Sequence, residues 1–289
     1  MYYALIFTNL APEHIESHGS YADYANAKFE IGLQLERSMK RPRIMVANAL
    51  DIESRRYLEL QVEKAIPFSL MDHEPHDFYE GGGFFTMGTT EIRVHLPGNF
   101  SLMNALAAST LAEALGIAPY IIARGINKVT TIAGRGDRIN EGQNFTVVVD
   151  YAHTPDSLKA IYDAYKDRRK ICVMGATGGG RDVWKRPVMG RIASEHCAHV
   201  ILTNEDPYDE DPTIIIRQVA KDMAHEPEII LDRRSAIARA FHLAVADDVV
   251  LITGKGTDPT IAGPHGTKQP WSDARVVREE LRKMKLTKV

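Results

Sequence analysis

Residues 170–190 read KICVMGATGGGRDVWKRPVMG. Ile171 to Met174 form an apolar run of strand length. Four glycines between 175 and 180 follow it, and Arg181, Asp182, Lys185 and Arg186 lead into a helix expected over 183–196. One strand, one glycine loop and one helix make a single β–α unit, and the chain repeats that unit on both sides. Strand 145–150 leads to helix 155–166, strand 199–203 to helix 212–223, and strand 228–231 to helix 233–244. Strand 248–252 leads eventually to helix 273–285. Thr154-Pro155 and Asp211-Pro212 each set a capping side chain before a proline at the first helical position. Alternation sustained this long predicts an α/β fold with an open, Rossmann-like, mostly parallel sheet covered by helices on both faces.

Upstream of a boundary placed near residue 133 the pattern differs. YALIF reads as a buried strand at the very start. Helical periodicity covers 21–38, and strands are expected at 43–48, 56–62, 84–87 and 91–96. MDHEPHDFYEGGG reads as a polar loop. Leu102, Leu106, Leu111 and Leu115 stripe a helix over 101–115 that Gly116 ends, and another helix is expected over 119–129.

The composition bounds the function. The 289 residues carry 35 basic and 38 acidic side chains, a formal charge of −3, so electrostatics argue against nucleic acid or an anionic membrane as partner. No run approaches the roughly 20 apolar residues of a membrane span, and no signal peptide is evident, which predicts a cytoplasmic protein. Cys172 and Cys197, both in apolar stretches, are expected to pack as small free thiols in a reducing compartment.

In an open α/β sheet, ligands bind beyond the carboxyl ends of the strands. Four such ends carry charged loops rich in glycine or proline: DYAHTPDS, GATGGGRDVWKRP, NEDPYDEDP and GKGTDP. Their convergence, bringing Asp150, Arg181 and Lys255 to one edge, is the central expectation. The glycine loop is neither a Walker A, since Arg181 rather than Lys-Ser/Thr follows Gly180, nor a dinucleotide fingerprint. Two readings stay open for it: an anion site formed by exposed amides with Arg181, Lys185 and Arg186, or a glycine turn before a solvated basic helix. On spacing alone His14, His18 and Lys28 in NLAPEHIESHGSYADYANAK read as solvated surface residues, a histidine metal pair being the rarer alternative, and Asp150 reads as a ribose contact or a turn cap.

Together FTNLAPEHIESHGSYADYANAK, LPGNFSLMNALAA, AGRGDR, VVVDYAHTPDSL, GGGRDVWKRPVMG, EDPYDEDP, GKGTDP and WSDARVVREEL resemble, in collinear order, the Mur ligase family. The best match is its branch that adds the third residue of the peptidoglycan stem peptide. The resemblance implies a ligase that uses ATP and Mg2+ to phosphorylate the carboxylate of UDP-MurNAc-dipeptide, an acyl phosphate then being attacked by the amine of a diamino acid. It makes 1–133 the C-terminal part of the family's central ATPase domain and 134–289 its C-terminal Rossmann-like domain. His14 corresponds to a magnesium ligand and Lys28 to a carbamylated lysine that helps hold the metal. Asn104 corresponds to an adenine contact, Arg135 and Asp150 to nucleotide contacts, and His153 lies in the same ATP-facing loop. Arg181 and Lys185, with Glu205, Asp206, Tyr208, Gly254 and Asp258, correspond to the amino-acid site.

The sequence departs from the family pattern in several places. Glu13 and Glu16 replace aspartates, and Ser101 replaces an asparagine. EDPY stands where the family's DNPR holds the distal carboxylate of meso-diaminopimelate, and Tyr208 cannot make that bidentate contact. Thr257-Asp258 replaces His-Glu. These favour lysine or another diamino acid over meso-diaminopimelate. The matched region starts partway into the central domain, without a Walker A, so the chain alone is expected to turn over ATP poorly unless a complementing N-terminal half is supplied. The sheet would then present an exposed edge. The alternatives are a non-catalytic binding module that keeps an adenosine and amino-acid site, and a folylpolyglutamate synthase-like ligase.

Overall fold

The computed structural model describes residues 2–13 and 15–287. The chain forms two compact units, residues 1–130 and 131–289.

In the first unit, strands β1 (Ala4–Phe7), β2 (Ile44–Asn48) and β3 (Lys64–Phe68) form a parallel sheet in that order. Helices α1 (Ile15–His18) and α2 (Tyr21–Glu36) connect β1 to β2, and α3 (Ser54–Leu58) connects β2 to β3. The pleat sends alternate side chains of β2 into different cores. Ile44 and Val46 pack with Phe68, Phe85, Leu102 and Leu106, whereas Met45 and Ala47 pack with Phe7, Leu35, Tyr57 and Leu60. An antiparallel sheet follows, β4 (Asp77–Tyr79), β5 (Gly82–Met87) and β6 (Thr90–Val94), and then helices α4 (Asn99–Ala114) and α5 (Pro119–Asn127).

Two readings of this unit are corrected. Residues 56–62, expected as a strand, hold the end of α3, and the strand lies at β3 instead. Tyr57 near the end of α3 and Leu60 just beyond it both point into the core beside β2. β3 is an edge strand carrying Lys64 and Pro67, a composition that hides it from periodicity. The expected loop at 71–83 contains β4, whose aromatic pair Phe78-Tyr79 is exposed and lies between Asp77 and Glu80, a run too short to show alternation.

The second unit holds β7 (Asp137–Arg138), β8 (Thr146–Val149), α6 (Pro155–Asp163), β9 (Lys170–Met174), α7 (Lys185–His196), β10 (His199–Leu202) and α8 (Pro212–Ala220). The chain continues through β11 (Glu228–Ile229), α9 (Arg233–Leu243), β12 (Val249–Ile252), β13 (Thr260–Ala262), β14 (Lys268–Pro270) and α10 (Asp273–Thr287). The main sheet runs β11-β10-β9-β12-β8-β7, parallel except for β7. β12, last of the parallel strands in sequence, inserts between β9 and β8. Ile171, Val173, Val250 and Ile252 pack with Ile237, Phe241, Val277 and Leu281 of α9 and α10. Burial of each such side chain contributes roughly 1.5–3 kcal/mol. Thr154 closes a capping box with Ser157, and Asp211 accepts the Thr213 N–H, as the two proline-marked helix starts predict.

The expectation of two free thiols is corrected: Cys172 on β9 and Cys197 at the end of α7 form a disulfide, with Cα atoms 6.1 Å apart. Both are buried, and the register places them on adjacent elements. The reducing-compartment argument drawn from free thiols therefore falls away. No helix among the described residues is long and apolar enough to cross a membrane.

Candidate active site

The parallel strands place the loops that follow β8, β9, β10 and β12 along one carboxyl edge, and their backbones touch in sequence. A Cβ on Gly256 would lie 2.7 Å from the Tyr151 Cβ, and one on Gly134 would lie 2.6 Å from the Gly256 carbonyl carbon. A Cβ on Gly178 would lie 2.2 Å from the Pro207 carbonyl oxygen, and the Gly178 N–H donates to the Asp206 carbonyl at 2.7 Å. These approaches require glycine, which is the physical content of the glycine-rich signatures.

At the β8 end, Asp150 is buried. One carboxylate oxygen accepts the Gly136 N–H at 2.6 Å and the other the Ala152 N–H at 2.7 Å. Burial pushes its carboxyl pKa up, while these two amides pull it down. Arg135 is exposed, its guanidinium 4.3 Å from the Tyr151 ring. The His153 ring packs edge-on to Tyr151, with Nδ1 2.8 Å from the Tyr151 carbonyl oxygen.

Between the β10 and β12 ends lies a buried ion cluster. Lys255 Nζ donates to both Asp206 oxygens and to Asp258 Oδ2, each at 2.8 Å. Burial works against the ammonium, yet the bonds to Asp206 and Asp258 prevail and raise its pKa. Asp206 also accepts the Ala262 N–H at 2.7 Å. Glu205, only 3% exposed, accepts the Thr177 hydroxyl at 2.8 Å through Oε1. Its Oε2 lies against Gly254, where a Cβ would come within 2.3 Å, and has no hydrogen-bond partner among the described residues. Beneath the edge, Arg233 forms a fully buried bidentate pair with Asp273, at 2.8 and 2.7 Å, and donates to the Thr253 carbonyl at 2.8 Å.

On the rim, Arg181 is exposed and its guanidinium sits 5.0 Å from the Tyr208 ring. Tyr208 has a left-handed backbone, φ 52°, held by its N–H donating to the Ala262 carbonyl at 3.2 Å. Lys185 is buried, with Nζ 3.9 Å from Asp182. Arg186 belongs to neither open reading of the glycine loop. It is fully buried, donating to Glu210, Gln218 and the Thr177 carbonyl, so it faces no ligand and no solvent.

Asp150, Arg135, His153, Arg181, Lys185, Glu205, Asp206, Tyr208, Gly254 and Asp258 thus share one edge. Asn104, exposed on α4, and Lys28, exposed on α2 with Nζ 5.4 Å from the Tyr24 ring, belong to the first unit. His14 lies outside the described residues. Among the described residues no group of three His, Cys, Asp or Glu side chains could hold a metal ion. An unmodified Lys28 ammonium is itself a cation and does not fit Mg2+. The sequence did not single out Thr177, Glu210, Arg233 or Asp273. Their hydrogen bonds join residues far apart in sequence, and no local spacing announces them.

The geometry defines an α/β domain with a charged ligand edge. Comparison with known proteins narrows the class. Residues 134–256 match the Mur ligase glutamate ligase domain, and residues 2–112 match the Mur ligase middle domain. The chain belongs to the Mur ligase family. It is 32% identical over 284 residues to the UDP-N-acetylmuramoyl-L-alanyl-D-glutamate–2,6-diaminopimelate ligase of Halalkalibacterium halodurans, covering 94% of this chain and 56% of that protein. With the ligase of the same name from Listeria innocua it shares 34% over 273 residues, covering 88% and 55%. The chain therefore spans little more than half the length of these relatives. A solved ligase of that name aligns at 26% identity and TM-score 0.58, over 98% of this chain and 60% of that one. Folylpolyglutamate synthase from Mycobacterium tuberculosis aligns at 17% identity and TM-score 0.63, over 97% and 63%, a likeness of fold alone.

Proposed function

We propose that this chain supplies the amino-acid-binding edge of an ATP-dependent carboxylate–amine ligase that adds a diamino acid to UDP-MurNAc-dipeptide, a cytoplasmic step of peptidoglycan precursor synthesis. The observation that carries the reading is Glu205 Oε2, a buried carboxylate oxygen without a partner among the described residues, on the same carboxyl edge as the exposed Arg181. A zwitterionic amino acid matches that pair: its carboxylate suits the guanidinium and an ammonium suits the carboxylate. Arg135, Asp150 and His153 would face the nucleotide, and Asn104, in the first unit, is read separately as an adenine contact. In the reaction the dipeptide carboxylate takes the γ-phosphoryl group, giving an acyl phosphate and ADP. The neutral amine then attacks the acyl carbon, and inorganic phosphate leaves. By accepting from the second ammonium, Glu205 would hold the amino acid so that its reacting amine faces that carbon. Mg2+, where bound, would neutralise charge on the transferring phosphoryl group, with His14 and a carbamylated Lys28 as its holders.

Isothermal titration with lysine, meso-diaminopimelate and ADP tests the reading. Lysine binding that weakens about tenfold or more in Glu205→Gln is expected, as is phosphate release that depends on amino acid once an N-terminal half is added. Failure of the chain to bind any diamino acid would overturn it. Binding of ADP and amino acid with no turnover in the complemented enzyme would point to a binding module instead.

A further inference from the structure

The glycine loop leaves one question open, whether its amides form a free anion cradle. Gly179 and Gly180 both take left-handed φ, 75° and 68°, so successive N–H groups turn toward one concavity. That concavity already contains an anion, the protein's own Glu210. Its Oε2 accepts the Gly180 N–H at 3.3 Å and Arg186 Nη2 at 2.8 Å, and its Oε1 accepts Arg186 Nη1 at 2.6 Å. Arg186 also donates to the Thr177 carbonyl at 2.9 Å and to Gln218 Oε1 of α8. One buried guanidinium therefore joins the start of the glycine loop, the loop after β10, and α8. The Arg186 hydrogen bond, above all, holds the Glu210 carboxyl below the usual carboxylate range.

We infer that Glu210 and Arg186 form a clamp that closes the glycine loop onto the loop after β10 and thereby sets the position of Arg181 above Tyr208. Arg181 directly follows the two left-handed glycines, and Tyr208 lies two residues before Glu210, so each half of the rim stack sits beside one half of the clamp. The loop is then not a phosphate cradle, because its amide concavity is filled from within. Glu210 and Arg186 are positioning residues, touching no ligand themselves. Their consequence for amino-acid binding rests on the proposed function above.

The test compares the unaltered chain with Glu210→Gln, Glu210→Asp and the neighbouring control Asp209→Asn. Amide hydrogen exchange of residues 175–184 is the first readout, and lysine and ADP affinities are the second. In Glu210→Gln, exchange at Gly180 should rise about tenfold and lysine should bind about tenfold more weakly, with ADP affinity within about twofold. Glu210→Asp, which keeps the charge, should recover part of both effects, and Asp209→Asn should show neither. Should Glu210→Gln not fold, Gln218→Ala, which loosens Arg186 alone, should show a smaller rise in exchange. Unchanged Gly180 exchange in a folded variant would overturn the clamp. If the unaltered chain binds no lysine, the proposed function fails and the exchange result still decides the clamp.

Discussion

The two halves of the molecule build parallel sheets from similar apolar sequence, yet secure them differently. In residues 131–289 the strands β8, β9, β10 and β12 are buried almost throughout, and alternate side chains of β9 and β12 pack on α9 and α10. Charged ties run beneath the edge: Arg233 to Asp273, and Lys255 to Asp206 and Asp258. In residues 1–130, β1 pairs only with β2 among the described strands, and Ala4, Leu5 and Ile6 are half-buried. The corresponding ion pairs lie nearer solvent, such as Arg43 with Glu63 and Arg55 with Glu59. The contrast teaches that the strand signal alone does not tell how firmly a sheet is held. That depends on whether charged side chains can be brought together out of water, which needs the whole fold.

The sharpest way to break this comparison is Asp273→Ala. It leaves the Arg233 guanidinium buried and unpaired, at a cost of about 3–5 kcal/mol. Hydrogen exchange should then accelerate in β8 to β12, whereas the amides of β2 report on the other half. Equal acceleration in both halves would show that the division into two units carries no energetic meaning.

A matched pair of glycine substitutions comes next. A Cβ on Gly190 would fall 1.9 Å from the Val219 carbonyl oxygen, and one on Gly83 would fall 2.5 Å from the Asp77 carbonyl oxygen. Each Gly→Ala change should cost about 1–3 kcal/mol through forced backbone shifts. Calorimetry should assign Gly190→Ala to the transition of residues 131–289 and Gly83→Ala to that of residues 1–130.

The smallest effect belongs to Glu63→Gln on the surface of the first unit. The Arg43 hydrogen bond holds the Glu63 carboxyl down at about 2. A depressed carboxylate contributes stability above its ordinary pKa, and that contribution disappears as the pH falls through the folded-state value. The small difference between the unaltered chain and Glu63→Gln, followed by acid unfolding, should therefore be constant near neutrality and vanish at about pH 2. It should also shrink in high salt. A difference that grew on acidification would reverse the assigned sign.

Legibility followed signal strength. The β8 to β12 strands and their helices were readable because apolar runs alternate with proline-capped helix starts, as at Thr154-Pro155 and Asp211-Pro212. Strand β3 is hidden by Lys64 and Pro67, and β4 by its length of three residues, too short for an alternating pattern. The segment holding Tyr57 and Leu60 reads as strand because so few apolar residues cannot separate the periods, whereas Tyr57 lies near the end of a short helix and Leu60 beyond it. The place of Arg181, Lys185 and Asp150 on the carboxyl edge was legible from the loops at strand ends. That of Glu210 was not, because its partner Arg186 lies 24 positions away, on helix α7.

The amino-acid sequence by itself determined the alternation of strands and helices, the glycines at which backbones meet, and membership of the Mur ligase family. Those features are local, or linear in order, and periodicity and spacing record them directly. Only the tertiary structure decided that Cys172 joins Cys197, that Arg186 is a buried strut, and that Glu210 fills the glycine loop. Each of these depends on distances between segments remote in sequence. Burial then sets what their charges can do, because a charge removed from water must find its partner inside the fold.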